Sequence, residues 1–309
     1  MRDQFIKTLL SLVSNYPNII LMTGDLGFSI FDDFAKKYPN NFINVGVAEQ
    51  NMTGIAAGLA LEGKIIFTYS IGNFSTLRCL EQIRNDICYH ELNVNIVSMG
   101  GGFSYGPLGI THHSTEDLAI MRSLPNITVV SPSGQWEITG ATKALIDEPS
   151  PGYLRLDKSS GDDSPSLENK EKYRLGVSRV LREGKDCAIV LSGGILEEAQ
   201  IAAEKLISKN ISTRIISMHT IKPIDKNAVI DAYNSTNAII TLEEHTIYGG
   251  LGSAVAEILA DNQLTGKKFL RIGLEDGFSS IVGSQKYLRK CYGMDSDSIY
   301  KRIIKLFSD

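Results

Sequence analysis

The sequence predicts an α/β protein: a doubly wound parallel sheet, followed by a second, smaller α/β unit. Three observations carry this. Continuous apolar runs of strand length, such as NIILM, KIIFTYS and VNIVSM, alternate with stretches of helical period. That is the pattern of a parallel sheet covered by helices on both faces. The chain has 309 residues and 43% hydrophobic content, enough for two domains of ordinary size. The run KSSGDDSPSLENKEK, residues 158–172, has almost nothing to bury, and the alternation resumes after it. A polar stretch of that kind reads as a connection. We divide the chain into a first domain over 1–160, a linker over 161–172 and a second domain over 173–309.

Taken in order, Phe5, Ile6, Leu9, Leu10, Leu12 and Val13 repeat at helical spacing, and Pro17 stops that helix. A buried strand over 18–22 leads into the turn TGDLG, and a helix over 32–38 into a strand over 42–45. A strand over 64–70 precedes one long helix over 74–90, with Leu77, Leu80, Ile83 and Ile87 facing inward. After a strand over 94–99 comes the glycine-rich loop GGGFSYGPLG, ending in THHSTED. A helix over 115–123, the strand ITVVSP, a helix over 135–145 and the strand PGYLRLD close the first unit. In the second, the strands CAIVLS, STRIIS, NAIITLEE and FLRIGL alternate with helices from Leu196, Asp225 and Leu251, and two helices end the chain. In such sheets ligands bind at loops beyond the carboxyl ends of the strands. TGDLG, the glycine-rich loop and Arg155 can all gather at that edge.

Composition narrows the function. Charged residues make up 21% and the net charge is −4, so nothing draws the chain to nucleic acid or to a membrane surface. The apolar runs are too short to span a bilayer, and the amphipathic start MRDQFIKTLL shows no signal-peptide pattern. Cys79, Cys88, Cys187 and Cys291 lie far apart with no CxxC spacing. They read as reduced thiols of a cytoplasmic protein.

One stretch stands out for chemistry: NVGVAEQNMTGIAAGLALEG, residues 44–63. A short strand and a tight turn at Gly46 place Glu49 in the first turn of a helix. Gly54, Ala56, Ala57, Gly58 and Ala60 leave that helix little side-chain bulk. Each glycine costs about 1 kcal/mol against alanine, which is tolerable where another backbone must come close. An acid in a helix's first turn is also what the macrodipole alone favours. The glycines of TLEEHTIYGGLGS (Gly249, Gly250, Gly252) look like a dinucleotide loop, but the strand-GxGxxG-helix context is incomplete. A tight turn entering a helix accounts for them.

Four motifs, GVAEQNMTGIAAGLAL, LRCLEQIR, GPLGITHHSTEDLAIMRSLPN and TLEEHTIYGGLGSAVAE, lie in order over nearly the whole chain. Together they resemble the transketolase family of thiamine-diphosphate enzymes. The resemblance covers only that family's pyrimidine-binding and C-terminal domains. The Gly-Asp-Gly and paired-Asn signature of its diphosphate-binding domain has no counterpart. Gly24-Asp25-Leu26 with Asn51 lacks the second Gly and the second Asn. The resemblance therefore implies the C-terminal subunit of a split transketolase, which transfers a two-carbon ketol unit between sugars. It implies thiamine diphosphate as cofactor, with Mg²⁺ (or Ca²⁺) held mainly by an N-terminal diphosphate-binding partner subunit in an α2β2 heterotetramer. No metal ligand is expected on this chain.

The resemblance also implies residue roles. Glu49 matches the carboxylate that bonds a pyrimidine ring nitrogen and so helps the cofactor lose its reactive proton. Asp25, Leu26, Phe74 and Arg78 fall among the cofactor contacts, Phe74 as the stacking ring one residue out of register. Thr111 and His112 match the Thr-His pair beside the substrate, and Arg2, Ser29 and Arg155 match the grip on a sugar phosphate. His113 stands where Gln is common. Two departures bear on the substrate: a His of the family's glycine-rich loop is Gly100 here, and an Asp that binds a substrate hydroxyl is Leu108. A hydroxyl facing Leu is left unpaired, so a deoxygenated or otherwise modified sugar is expected. The β subunit of a 2-oxo acid dehydrogenase, a 1-deoxyxylulose-5-phosphate synthase and a non-catalytic partner subunit are the competing readings.

Overall fold

The computed structural model describes residues 1–27, 29–164 and 171–308. Helix α1 (Arg2–Leu12) leads to β1 (Ile19–Thr23), α2 (Asp32–Lys37), β2 (Phe42–Asn44), α3 (Glu49–Leu61) and β3 (Ile65–Ile71). Then follow α4 (Gly72–Ser75), α5 (Leu80–Gln82), β4 (Val94–Met99), α6 (Asp117–Ser123), β5 (Thr128–Val130), α7 (Gln135–Asp147) and β6 (Gly152–Leu156). The second half contains β7 (Arg179–Arg182), β8 (Cys187–Leu191), α8 (Leu196–Ile207), β9 (Thr213–Ser217), β10 (Thr220–Lys222) and α9 (Lys226–Ser235). It ends with β11 (Ala238–Thr246), α10 (Leu251–Asp261), β12 (Lys268–Leu274), α11 (Gln285–Cys291) and α12 (Ser296–Ser308).

Two sheets result. The first has seven strands in the order β10-β5-β6-β4-β3-β1-β2, and only β10 runs antiparallel. The second has five, in the order β12-β11-β8-β9-β7, with β7 antiparallel at its edge. Each sheet is packed on both faces. Phe5, Leu9, Ile138 and Leu145 from α1 and α7 cover one face of the first sheet, and Met52, Ala56, Leu118 and Met121 from α3 and α6 cover the other. Burying each large apolar side chain contributes about 1.5–3 kcal/mol. This double coverage is why the strands read as unbroken apolar runs.

The two halves exchange parts. Phe103, from the glycine-rich loop, is fully buried in the core of the second half and stacks on Tyr292 at 5.4 Å. Ile221 of β10 is buried in the core of the first. Neither β7 nor β10 was expected, because each is short and sits at a sheet edge with only one strand neighbour.

The expected long helix over 74–90 is broken. After α4 come a 3-10 turn (Leu77–Cys79), α5, and a π-helical segment (Ile83–Cys88). The hydroxyls of Ser75 and Thr76 donate back to the Gly72 carbonyl at 3.2 and 2.8 Å, which offers the backbone an alternative to regular helix. Ile83 and Ile87 are buried as expected, but Leu77 is 47% exposed. The polar stretch is not all solvated either. Asp163 is buried and accepts from the amides of Trp136 and Glu137 at 3.1 and 2.7 Å, so it caps α7 where Gly134 has no side chain to do so. Residues 165–170 of the expected linker lie outside the described residues.

His219, between β9 and β10, is fully buried, with Nδ1 at 2.9 Å from both the Tyr173 and Thr220 hydroxyls. Burial first, then the Arg179 charge, push its pKa from 6.5 down to about 3. The unfolded chain binds this proton below its ordinary pKa and the folded chain does not, so folding stability falls as pH drops from 6.5 toward 3. Between about pH 7 and about pH 4.5 the wild type is expected to lose about 2–3 kcal/mol more than His219→Gln, measured by urea unfolding. Equal losses in the two proteins would refute this origin.

Candidate active site at the carboxyl edge of the first sheet

The site begins where β2 ends. Asn44 Oδ1 accepts from the amides of Gly46 and Asp25, both at 3.0 Å. It thereby pins the TGDLG turn to the turn that feeds α3. Gly46 reverses the chain with φ +73°, a conformation that a side chain would oppose. Glu49 then opens α3. Its side chain is 2% exposed, enclosed by the turn at Gly24, whose added Cβ would lie 3.6 Å from Glu49 Cγ. Oε2 accepts from Arg78 Nη1 at 2.6 Å, while Oε1 has only the Ser70 hydroxyl at 3.5 Å among the described residues. Asp25 and Leu26 follow Gly24 in that turn and line a separate cavity of about 180 Å³ with Phe31 and Asn44.

Phe74 is half-buried at this edge and not part of the core. The Arg78 guanidinium lies over its face, 4.7 Å from the ring centroid, and the His112 ring meets it edge-on at 5.2 Å. Glu49, Arg78, Phe74 and His112 thus form one continuous line. Asn73, which the sequence did not single out, clips the two loops together. Its amide donates to the carbonyls of Ile110, Thr111 and His113 at 3.4, 3.2 and 2.7 Å. Thr111 Oγ1 lies 2.9 Å from His112 Nδ1. Partial burial, and then the neighbouring His113, lower the His112 pKa, so the ring is neutral at neutral pH. His113 turns inward, and its Nε2–H donates to the Gly106 carbonyl at 3.1 Å. On the same loop Leu108 and Ile110 are 55% and 43% exposed, flanking Gly109, whose added Cβ would lie 3.4 Å from Val282.

Arg2 and Ser29 do come together, along a groove of about 620 Å³ between α1 and α2. Arg155 does not join them. It is 1% exposed, its Nε donates to Asp117 at 2.9 Å, and its Nη2 donates to the carbonyls of Ser114 and Glu244 at 3.1 and 2.9 Å. The side chain expected to grip a phosphate is thus buried, with Nε and Nη2 bonded inside the protein and Nη1 3.9 Å from Asp157. Three residues further on, Lys158 is exposed, with its ammonium 4.0 Å above the Tyr105 ring. Lys158 and Arg2 line a shared cavity of about 220 Å³. Tyr105 also explains Gly100. A Cβ there would lie 2.3 Å from the Tyr105 ring, and the backbone has φ +102°. The ring takes the space a side chain at 100 would fill, and it faces His112 at 6.3 Å. Sequence reading missed both residues. The available signal for Lys158 was its place beyond the end of β6, whose five residues, Arg155 among them, are all buried.

The glycine motif of the second half is structural. Glu243 accepts from the amides of Leu251 and Gly252, both at 2.7 Å, and so caps α10. An added Cβ at Gly250 would stand 2.2 Å from the Glu243 carboxylate. Neighbouring Glu244 accepts from the Phe103 amide at 2.5 Å and from Gln285 and Arg289. Glu244 thereby ties the glycine-rich loop of the first half to α11 of the second. Among the described residues, no helix is long and apolar enough to cross a membrane.

A parallel sheet that presents a buried glutamate and an aromatic ring at its carboxyl edge, tied to a second α/β unit, has the layout of the pyrimidine-binding half of a thiamine-diphosphate enzyme. The chain belongs to the transketolase family: the transketolase pyrimidine-binding domain matches residues 1–162, and the transketolase C-terminal domain matches residues 176–299. It is 39% identical to a transketolase C-terminal section from Methanocaldococcus jannaschii, covering 99% of this chain and 95% of that one. It is 35% identical to one of the subunits of an apulose-4-phosphate transketolase from Actinobacillus succinogenes, covering 97% and 96%. A solved split-gene transketolase, described as an inactive β4 tetramer, superposes with a TM-score of 0.88 at 35% identity, covering 99% of this chain and 98% of that one.

Proposed function

We propose that this chain is the C-terminal subunit of a thiamine-diphosphate-dependent split transketolase, active with a separate N-terminal diphosphate-binding subunit as an α2β2 heterotetramer. The reading is carried by the buried Glu49 carboxylate, linked through Arg78 to the Phe74 ring and so to His112. A thiamine diphosphate pyrimidine ring fits this place: Glu49 meets a ring nitrogen and Phe74 its face. Mg²⁺ and the diphosphate are assigned to the partner subunit, because this chain has no counterpart of the family's Gly-Asp-Gly and paired-Asn signature. When bound, the cofactor supplies a stabilised carbanion equivalent for ketol transfer.

This chain's residues then have distinct tasks. Glu49 holds a proton at the ring nitrogen. Neutral His112, oriented by Thr111, can donate to or accept from a substrate oxygen. Arg2, Ser29 and Lys158 lie along one edge and hold the anionic end of a sugar phosphate, the task first expected of Arg155. Tyr105 sits between that end and His112. On α3, Cβ atoms added at Gly54 and Gly58 would meet nothing within 4 Å, and Val47 and Leu61 are 73% and 67% exposed. We place the packing of the assembly's other subunits on this face.

The test is to co-purify the chain with a diphosphate-binding partner and assay ketose donor turnover with and without thiamine diphosphate and Mg²⁺. Cofactor-independent turnover, or none in the assembled complex, would overturn the reading. The substrate is a modified sugar, because exposed Leu108 offers no hydrogen bond where a carboxylate would take a hydroxyl. Leu108→Asp is expected to shift the ratio of kcat/KM toward ordinary xylulose and ribose phosphates by about tenfold or more, the worth of one discriminating hydrogen bond. An unchanged substrate profile would count against it.

A further inference from the structure

Both features that make the Glu49 corner fit a pyrimidine ring are already taken, and by one side chain. The Arg78 guanidinium donates to Glu49 Oε2 at 2.6 Å and stacks on Phe74 with 4.7 Å to the ring centroid. A guanidinium is flat, carries N–H groups along its edge and stacks on aromatic faces. An aminopyrimidine has the same three properties. A pyrimidine that needs Glu49 Oε2 and the covered face of Phe74 must displace the guanidinium. A guanidinium also pairs with a carboxylate in its anionic form, whereas the proposed task of Glu49 requires it to share a proton.

We propose that Arg78 is an internal placeholder for the cofactor's aminopyrimidine. It compensates the Glu49 charge while the site is free and swings out when the ring docks. The inference rests on the thiamine-diphosphate reading given above. The structure provides the means for the movement. Arg78 is 46% exposed although its partner is 2% exposed, so its long stem already reaches from solvent inward. It projects from the 3-10 turn Leu77–Cys79, where the helix is interrupted between α4 and α5. Neighbouring Cys79, by contrast, is fully buried and anchors the turn, its thiol donating to the Phe74 carbonyl at 3.3 Å. The turn is fixed and its arginine has an exit.

A placeholder has opposite effects on the free and loaded states, and this separates it from a structural ion pair. Removing it leaves Glu49 uncompensated in the cofactor-free chain and removes the competitor from the loaded one. The apparent dissociation constant of a site blocked most of the time exceeds the intrinsic one by the reciprocal of the open fraction. Arg78→Met is therefore expected to lower the urea midpoint of the cofactor-free chain. In the assembled complex it should bind thiamine diphosphate with Mg²⁺ about tenfold tighter by calorimetry, for an open fraction of about one tenth. Arg78→Gln, which keeps a neutral donor for Glu49, serves if the Met variant does not fold, with the same direction expected. Wild-type complex that binds thiamine diphosphate while both variants bind it equally or more weakly overturns the placeholder alone. Wild-type complex that does not bind it overturns the functional reading beneath it.

Discussion

Glu49→Gln in the assembled complex is expected to lower kcat by about 10²–10⁴-fold, the usual worth of a positioned proton-transfer group. The same substitution should leave the urea midpoint of the chain unchanged or raised. Glutamine keeps the shape of the glutamate and can still accept from Arg78, but it carries no charge into a site that is 2% exposed. Among the described residues the wild-type carboxylate has one donor, Arg78, at 2.6 Å and a marginal contact to Ser70. That is thin compensation for a buried ion. Loss of turnover without loss of stability is the mark of a group kept for chemistry at some cost to folding. Full turnover by the Gln variant would remove Glu49 from the mechanism, and lost turnover with a collapsed midpoint would make it structural.

Arg155→Met gives the opposite signature. It should destabilise the chain by about 3–5 kcal/mol, as expected when one member of a buried, hydrogen-bonded charge network is deleted. Asp117 and Asp157 are each 2% exposed and face this guanidinium. Without it, among the described residues, Asp117 keeps the Tyr153 hydroxyl at 2.6 Å and the His245 ring at 4.0 Å, and Asp157 keeps the Gly194 amide at 2.6 Å. The carbonyls of Ser114 and Glu244 lose a donor as well. Lys158→Met should instead raise KM for a phosphorylated sugar with little change in the unfolding midpoint, because Lys158 is exposed. If Arg155→Met folded normally and raised KM, the phosphate would belong to Arg155 after all.

The two substitutions show where the sequence was legible. The double-sided sheets announced themselves as apolar runs, and almost every long strand and helix follows from those runs. The Glu49 corner was equally plain, because a tight turn, a carboxylate and a helix of small residues are local features. Arg155 lies within β6, where every residue is buried, whereas Lys158 lies two residues beyond the strand and is exposed. Motif matching does not see where the strand stops. Tyr105 was hidden for another reason: it fills the space above Gly100 from five residues away, and a loop's path is not written in periodicity. The long helix over 74–90 failed because its apolar spacing survives where the backbone does not. Ile83 and Ile87 reach the core from a π-helical segment, while hydroxyls at Ser75 and Thr76 redirect the chain before it. Strands β7 and β10 have too few residues to carry a pattern at all.

Strand β10 has a consequence for how the molecule is made. It lies more than 50 residues beyond β6, yet it forms the last strand of the first sheet and hydrogen-bonds β5 in antiparallel register, with Thr220 opposite Val130. During synthesis the first sheet therefore remains open on that side until the chain has passed Lys222. An unpaired strand edge is a template for other chains, and the exposure lasts as long as the ribosome takes to add those residues, at about 5–20 per second. Phe103 waits in the same way for its pocket near Tyr292, contributed from almost the far end of the polypeptide. The two units look separable along the sequence, but each is finished only by residues of the other. The native state is thus closed by contacts of long sequence separation, the kind that forms late and slowly.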